Sequence, residues 1–419
     1  MQSMCRADFP PIVKKPVNPA NPLKPPGARV LTESNNSPSQ LPVSSYFDPA
    51  LYQREMQSIF QQGPRYVGHA LSVPIVGDYY ALPQEQEGRA LVRNAGGVEL
   101  ISNVCRHRQA LMLKGRDSLI RPVTENGRQV ASGGGNIVCP LHRWTYSGAN
   151  TGVTQTQVGT LIGAPHFDQD PCLNLKNYPL QEWNGLLFEP NGRNVAADLA
   201  GMGPRAALDF DGFVLDKVVM HECNYNWKTF IEVYLEDYHV GPFHPGLGKF
   251  VTCDDLSWQF ADNYSVQTVG VAAQLARGDS NAGSPVYARW QKALLDYRNG
   301  VAPQQGAIWL TYYPHIMVEW YPHVLTVSTL HPMGPNKTMN MVEFYYPEEI
   351  AAFEREFVEA QQAAYNETCL EDDEIGERMD AGRAALYARG DDEAGPYQSP
   401  MEDGMPHFHN WYRRQMGKV

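Results

Sequence analysis

The chain has 419 residues, 43% of them hydrophobic, and a formal net charge of −12 at pH 7. This length is sufficient for two domains with cores of ordinary size. The negative charge and the lack of a basic run exclude nucleic acid and anionic membranes as expected partners, and no run approaches the roughly 18 apolar residues that span a bilayer. Since no secretory signal pattern is present either, we expect a cytoplasmic protein.

The N-terminal segment, residues 1–45, is rich in proline and poor in large apolar side chains. It is expected to form an extended arm, of a kind that often wraps a neighbouring subunit. Asp48-Pro49 then has the pattern of a helix N-cap followed by the first helical residue, and apolar residues recur at helical spacing. We predict a helix within residues 46–65 and assign it to the C-terminal domain.

Residues 66–190 consist of short β-like runs punctuated by glycine, asparagine and proline, which predicts an all-β domain. This domain contains two pairs of metal-ligating residues, Cys105 with His107 and Cys139 with His142. A Rieske centre binds one iron through two Cys and the other through two His, so C-x-H followed by C-x-x-H supplies its ligands. The alternative is a Cys2His2 zinc site, which usually occurs as C-x-x-C with H-x-x-x-H.

The other cysteines form no disulfide framework, because the total of seven is odd and their spacing is irregular. We therefore expect free thiols at the five remaining positions, Cys5, Cys172, Cys223, Cys253 and Cys369.

Residues 195–419 follow a short linker and mix strand patterns with helices, which predicts a larger α+β domain. Several strand candidates are consecutive and joined by short turns, so we expect an antiparallel sheet flanked by helices. The strand candidates are residues 266–271, 316–321, 324–330 and 339–346.

The segment 226–239 has apolar residues at i, i+3, i+4 and i+7, which predicts one continuous buried helix. At spacings of four and three, Glu232, Glu236 and His239 are expected to lie together beside the apolar stripe.

Gly241-Pro242 is predicted to end this helix, so that the chain turns back and His244 meets the same metal ion as His239. Two histidines and a carboxylate leave several coordination positions of an iron open, as the binding of O2 requires.

These segments resemble the Rieske non-haem iron oxygenases that hydroxylate aromatic rings, in particular their catalytic α subunits. Residues 105–108 read C-R-H-R and residues 139–144 read C-P-L-H-R-W, close to C-x-H-R and C-P-x-H-x-W of that family. Residues 226–245 look like the iron-binding segment of the same family. One departure is the 31 residues between His107 and Cys139, whose excess we predict to form a lengthened surface hairpin in residues 116–136.

The resemblance extends from about Tyr46 to residues 407–412 and implies two metal centres. The implied ligands of a 2Fe-2S Rieske cluster are Cys105, His107, Cys139 and His142. The implied ligands of a mononuclear Fe(II) are His239, His244 and a carboxylate near the start of a late helix. Register favours Asp372 for that carboxylate, with Asp373 as the alternative.

An acid three residues before the first iron histidine connects the two centres across a subunit interface in this family. Here that residue is Glu236, with Asp237 as the competing candidate. Some relatives that oxidise quaternary amines also use Glu at this position, which hints at the subclass.

The resemblance implies a terminal oxygenase subunit that activates O2 with electrons from NAD(P)H. A separate ferredoxin, flavin reductase or both would deliver the electrons, and the subunits would form a homotrimer or a multiple of trimers. We expect hydroxylation of an aromatic or similar small organic substrate. The alternatives are a monooxygenase or demethylase of a quaternary or N-methylated amine and, in another class, a non-catalytic Rieske electron carrier.

The segment 309–321 is rich in aromatic residues. It could line an apolar substrate pocket or simply belong to the core of the sheet. The residues in question are Trp309, Tyr312, Tyr313, His315, Trp320 and Tyr321.

Overall fold

The computed structural model describes residues 40–120, 122–125, 128–131, 135–149, 157–168, 170–278 and 281–417. Most of the predicted proline-rich arm, and Cys5 within it, lies outside these residues. Every strand pair in the described part is antiparallel. No helix among the described residues is long and apolar enough to cross a membrane.

Short strands dominate the first half of the chain, in agreement with the predicted all-β region. They are β1 (Arg65–His69), β2 (Asp78–Ala81), β3 (Arg89–Asn94), β4 (Gly97–Ser102), β5 (Arg116–Ser118), β6 (Pro122–Glu125), β7 (Arg128–Ala131), β8 (Ile137–Val138), β9 (Thr145–Tyr146), β10 (Leu161–Gly163), β11 (Asn177–Tyr178), β12 (Gln181–Trp183) and β13 (Leu186–Glu189). Their sheets have the orders β11-β4-β3-β2-β5, β10-β9-β8 and β1-β13-β12. Strands β6 and β7 pair only with each other, so the predicted extra hairpin is present.

The central strand β3 is buried on both faces, because its alternate residues enter two different cores. Ala90 and Val92 pack in one core with Cys105 and Cys139, and Leu91 packs in the other. A strand places successive side chains on opposite faces, so the run of apolar residues in β3 can serve both cores. The two cysteines are thereby fixed to the body of the sheet.

The second half of the chain forms one seven-stranded antiparallel sheet of order β14-β20-β19-β18-β17-β16-β15. Its strands are β14 (Phe213–Cys223), β15 (Val251–Ala261), β16 (Tyr264–Val271), β17 (Ala307–Tyr312), β18 (Ile316–Tyr321), β19 (Val324–Gly334) and β20 (Lys337–Pro347). The four predicted strands correspond to β16, β18, β19 and β20, and the α+β fold class is confirmed.

The longer helices pack on one face of this sheet. The helices in chain order are α1 (Ser44–Phe47), α2 (Pro49–Glu55), α3 (Val195–Asp198), α4 (Trp227–Tyr234), α5 (Val240–Phe243), α6 (Ala273–Ala276), α7 (Pro285–Tyr297), α8 (Glu348–Phe353), α9 (Arg355–Arg389) and α10 (Gly404–Met416). The predicted N-cap is correct, since the Asp48 carboxylate accepts a hydrogen bond from Ala50 N at 2.7 Å. The helix after Asp48 continues through a π-helical turn at Met56–Phe60.

The two faces of the large sheet have different partners. On one face, side chains of α7 and α9 pack against Trp309, Tyr321 and Phe344. On the other face, the core joins the sheet to Trp183 and Phe188 of the N-terminal β region. The seven-stranded sheet therefore separates the helical layer from the smaller β sheets.

Candidate metal centres

The predicted helix over residues 226–239 is interrupted. The observed α4 ends at Tyr234, and the N–H of Asp237 donates to the carbonyl of Met401 at 3.0 Å instead of continuing the helical ladder. The chain then forms the separate short helix α5, which contains Gly241 and Pro242. The prediction that Gly-Pro ends the helix is therefore wrong, because a contact with a distant segment breaks the helix earlier.

This break separates Glu232 from Glu236 and His239, contrary to the predicted grouping. Glu232 is fully buried and forms an ion pair with the guanidinium of Arg383. Its Oε1 lies 2.8 Å from Nε2 of His409. Burial acts to raise the pKa of Glu232, but Arg383 and His409 outweigh it and lower the pKa to about 2. Glu232 thus belongs to an ion network in the helical layer.

The structure brings the three candidate iron ligands together. The Nε2 atoms of His239 and His244 are 3.0 Å apart. Oδ1 of Asp372 lies 3.4 Å from Nε2 of His239 and 3.0 Å from Nε2 of His244. Two imidazoles and one carboxylate would thus bind a metal ion from one side. This is the facial arrangement of non-haem Fe(II) sites, which leaves the other coordination positions open.

The outer nitrogens of both imidazoles face carboxylates. Nδ1 of His239 lies 2.8 Å from Oε1 of Glu236, and Nδ1 of His244 lies 2.6 Å from Oε2 of Glu371. If each Nδ1 carries the proton, the lone pairs of both Nε2 atoms point into the same space, which is the orientation that metal-ligating histidines require. Asp372 Oδ1 is buried and has no hydrogen bond of ordinary geometry within the described residues. These atoms fit a divalent iron.

The local charges also favour a cation at this point. Burial lowers the pKa of His239, but the carboxylates of Asp372 and Glu236 outweigh burial and raise the pKa to about 10. Burial likewise lowers the pKa of His244, yet Asp372 and Glu371 raise it overall. The same negative field would stabilise a metal ion held between the two rings.

Asp373, the alternative third ligand, points elsewhere. Its Oδ2 lies 2.7 Å from Nε2 of His221, and its Oδ1 accepts a hydrogen bond from the hydroxyl of Tyr225 at 3.0 Å. Both carboxylates lie near the middle of the 35-residue helix α9, not near its start as predicted from the acidic run. At Gly376 a Cβ would come within 2.8 Å of the Tyr225 ring, so glycine permits the close approach of α9.

The two candidates for the link between the metal centres also differ. Glu236 contacts Nδ1 of His239, and its Oε2 accepts a hydrogen bond from His239 N at 2.9 Å. Asp237 is buried, its Oδ2 has no partner among the described residues, and burial raises its pKa to about 7. Glu236 is therefore the acid that touches a candidate iron ligand.

The four candidate cluster ligands lie on two loops of the β region. Cys105 and Cys139 are buried free thiols, and the rings of His107 and His142 are 4.6 Å apart between centroids. His107 stacks on Trp144 at 5.0 Å with an interplanar angle of 9°.

The surroundings of this donor set fit a cluster. Nδ1 of His107 is buried without a hydrogen-bond partner among the described residues, whereas His142 is exposed. The Tyr146 hydroxyl lies 3.6 Å from Cys105 Sγ and accepts a hydrogen bond from Arg106 N at 3.1 Å. Two thiols fixed in the core and two imidazoles at the surface suit a 2Fe-2S cluster that exchanges electrons with other proteins.

A small cavity of ≈ 90 Å³ adjoins the iron ligands between the large sheet and the helical layer. The aromatic residues that line it are Phe230, Tyr234, Tyr287, Trp290, Trp309, Tyr321 and Tyr365. Four carboxylates also line it, those of Glu236, Asp237, Glu319 and Asp372, and no Lys or Arg does so among the described residues.

Of the aromatic segment 309–321, for which pocket lining and sheet core were both open, only part reaches this cavity. Trp309 and Tyr321 line it, but Tyr312 and Tyr313 do not. The hydroxyl of Tyr312 donates to Asp198 at 2.7 Å, and Tyr313 packs against α10, with its ring 5.5 Å from that of Phe408. Of the remaining members, His315 and Trp320 contribute to packing away from the cavity.

Two family models match the chain. Residues 64–167 match the Rieske 2Fe-2S domain, and residues 210–418 match the catalytic domain of the ring hydroxylating alpha subunit.

Among known proteins, the chain is 62% identical over 380 residues to a putrescine 2-hydroxylase of Ralstonia nicotianae, covering 91% of this chain and 96% of the relative. It is 60% identical over 381 residues to a putrescine 2-hydroxylase of Bordetella bronchiseptica, covering 91% and 85%. A solved quaternary ammonium Rieske monooxygenase superposes with a TM-score of 0.67 at 18% identity, covering 91% of this chain and 97% of that one. The last comparison shows similarity of fold.

Proposed function

Because the chain belongs to the Rieske non-haem iron oxygenases as a catalytic α subunit, we propose that it hydroxylates a carbon of a short aliphatic diamine such as putrescine. The family uses a Rieske cluster, a mononuclear iron and O2. Two relatives named putrescine 2-hydroxylases are at least 60% identical over 91% of the chain. This identity supports the diamine over the aromatic substrate that the family resemblance had led us to expect.

The acidic, aromatic cavity beside the iron ligands carries the proposal. Of its four carboxylates, Asp372 and Glu236 face the two imidazoles of the iron site, which leaves Asp237 and Glu319. No Lys or Arg lines the cavity among the described residues, so it favours a cationic substrate. Its volume of ≈ 90 Å³ is below the range of about 300–1,000 Å³ that drug-sized ligands occupy. A short, unbranched diamine with two positive charges suits both the charge and the volume of the cavity.

We assign the iron to His239, His244 and Asp372, and the cluster to Cys105, His107, Cys139 and His142. The Rieske match replaces the zinc alternative for the second set. The relatives are named hydroxylases, so the electron-carrier alternative has no support from them.

When bound, the iron supplies the activation of O2 with electrons from the cluster. The residues of the protein orient the metal ligands and exclude water. Glu371 orients His244 by accepting a hydrogen bond from its Nδ1, and Glu236 lies beside Nδ1 of His239, so one side of the site stays open. The aromatic walls exclude water from the substrate.

We further propose that electrons arrive from a ferredoxin or flavin reductase and that the subunits assemble as trimers. The contact between Glu236 and His239 supports this arrangement, because a neighbouring cluster histidine could approach the same carboxylate. A cytoplasmic location remains part of the proposal.

The test is turnover of putrescine by protein in which both metal centres are demonstrated. The reduced cluster would be detected by electron paramagnetic resonance (EPR), and the mononuclear iron by its nitric oxide complex. With a surrogate reductase, NADH and ¹⁸O2, we expect a hydroxylated diamine containing one ¹⁸O atom, detected by mass spectrometry.

Benzoate, naphthalene and choline serve as comparison substrates. Formaldehyde release from choline, or an oxygenated ring product, with no product from putrescine would overturn the diamine assignment. A cluster signal without the iron–nitrosyl signal after iron loading would contradict the assignment of the iron site.

A further inference from the structure

One carboxylate of the cavity, Glu319, has a position that the metal centres do not explain. It lies on β18, is 3% exposed, and forms no ion pair within the described part of the chain. Its Oε1 accepts a hydrogen bond from the hydroxyl of Tyr365 at 3.0 Å. A neutral donor therefore partners a buried carboxylate that lines the cavity.

The sheet register places Glu319 in a row of cavity-lining residues. Gln267 of β16 pairs with Trp309 of β17, and Trp309 pairs with Glu319 of β18. Directly paired residues point to the same face of a sheet, and all three line the cavity. Tyr321, two residues after Glu319, lines it as well, and its hydroxyl accepts a hydrogen bond from Trp309 Nε1 at 3.0 Å.

Two other deeply buried glutamates have a cationic partner, whereas Glu343, which does not line the cavity, has none among the described residues. Glu55 pairs with Lys228 at 2.7 Å, and Glu232 pairs with Arg383. Glu319 has none, and burial raises its pKa to about 7. A buried carboxylate without a counter-charge is costly, and such groups are normally paired when ionised.

A substrate ammonium would remove this cost. It would bring the missing positive charge, and the aromatic rings of Trp309, Trp290 and Tyr321, which line the same cavity, would add cation–π attraction. We propose that Glu319 binds one protonated primary amine of the substrate and is the residue that selects an amine over an uncharged molecule of similar size. This inference rests on the proposed function, because it names the group that recognises the diamine.

The experiment measures amine binding directly, without turnover. Isothermal titration calorimetry on the anaerobic, iron-loaded enzyme would give dissociation constants for putrescine and for the monoamine 1-aminobutane. Glu319→Gln keeps the shape and removes the charge. We expect it to weaken binding of both amines by about 30-fold or more, as loss of one member of a desolvated charge pair does.

The matched control is Glu343→Gln. Glu343 lies on β20 of the same sheet, is fully buried, and accepts a hydrogen bond from the hydroxyl of Tyr66, but it does not line the cavity. Burial raises its pKa to about 7 as well. The control should bind amines within about threefold of the wild type, since the mutation leaves the cavity intact.

Glu319→Asp provides a second variant if the amide fails to fold. Its carboxylate is withdrawn by one methylene, so amine affinity should fall between those of the wild type and Glu319→Gln, with unchanged cluster and iron–nitrosyl spectra.

Unchanged amine binding by a folded Glu319→Gln variant would overturn the role of Glu319, while putrescine hydroxylation by the wild type would still support the proposed function. A wild type that binds neither amine would overturn the inference directly. A wild type that binds both amines through Glu319 but hydroxylates neither would contradict the proposed function alone.

Discussion

The two metal-binding regions obtain their ligands in different ways. The candidate cluster ligands come from two nearby loops within residues 105–142, and their histidines lie at or near the surface. The candidate iron ligands come from the two ends of the short helix α5 and from helix α9 far downstream, and they adjoin an internal cavity. The surface position suits electron exchange with a protein partner, whereas the internal position suits a small substrate in a dry site.

The largest effect should come from Asp372→Asn, which removes the proposed anionic ligand of the iron. We expect hydroxylation to fall more than about 100-fold, since even residues beyond the ligands of a metal change activity by 10–100-fold. Iron analysis and EPR should show loss of the mononuclear iron with the cluster retained. Asp373→Asn is the matched control and should keep the iron. The opposite pattern would assign the ligand to Asp373.

The second effect concerns the connection between the two regions. Glu236→Gln should leave both centres occupied but slow electron delivery, which lowers turnover by about 10- to 100-fold. Single-turnover experiments with pre-reduced cluster would measure cluster oxidation and product formation together. Asp237→Asn is the neighbouring control, and slow cluster oxidation in that variant alone would transfer the role to Asp237.

A smaller effect is expected for Glu371→Gln, which keeps all three candidate iron ligands. The Glu371 carboxylate faces Nδ1 of His244 at 2.6 Å, so its loss should weaken iron binding by about tenfold. A chelator titration followed by the iron–nitrosyl signal would measure this. Glu374→Gln, on the exposed side of the same helix, is the control. Equal iron retention in both variants would remove Glu371 from the site.

The smallest effect is predicted in the cluster region for Tyr146→Phe. The Tyr146 hydroxyl accepts a hydrogen bond from Arg106 N, so its own proton is available to the sulfur of Cys105. Hydrogen bonds to cluster sulfurs raise the reduction potential, and the variant should therefore have a lower potential. Voltammetry would measure it, with Tyr178→Phe as the control. A potential equal to that of the wild type would exclude this hydrogen bond.

Sequence reasoning was most informative where the signal is local. The C-x-H and C-x-x-H pairs predicted a Rieske centre, and the family match supports that cofactor. The strands and the antiparallel sheet were also predictable, because alternating apolar runs and short turns are local patterns.

Features that depend on distant segments were missed. The contact of Asp237 N with Met401 ends α4 early, and no pattern within residues 226–239 indicates it. The acidic run at residues 371–374 resembled a helix start, although α9 begins at Arg355. Glu319 was passed over because a single acid in a strand becomes informative only when the cross-strand pairing with Trp309 is known.

The position of Asp372 within α9 limits how the length of this protein can vary. Each residue of an α-helix turns the chain by about 100°, so one insertion between Arg355 and Asp372 would swing the carboxylate away from both imidazoles. The hairpin of β6 and β7 carries no candidate ligand, and added loop residues cost little there. Insertions and deletions accepted during divergence should therefore accumulate in the hairpin and be absent from the first half of α9.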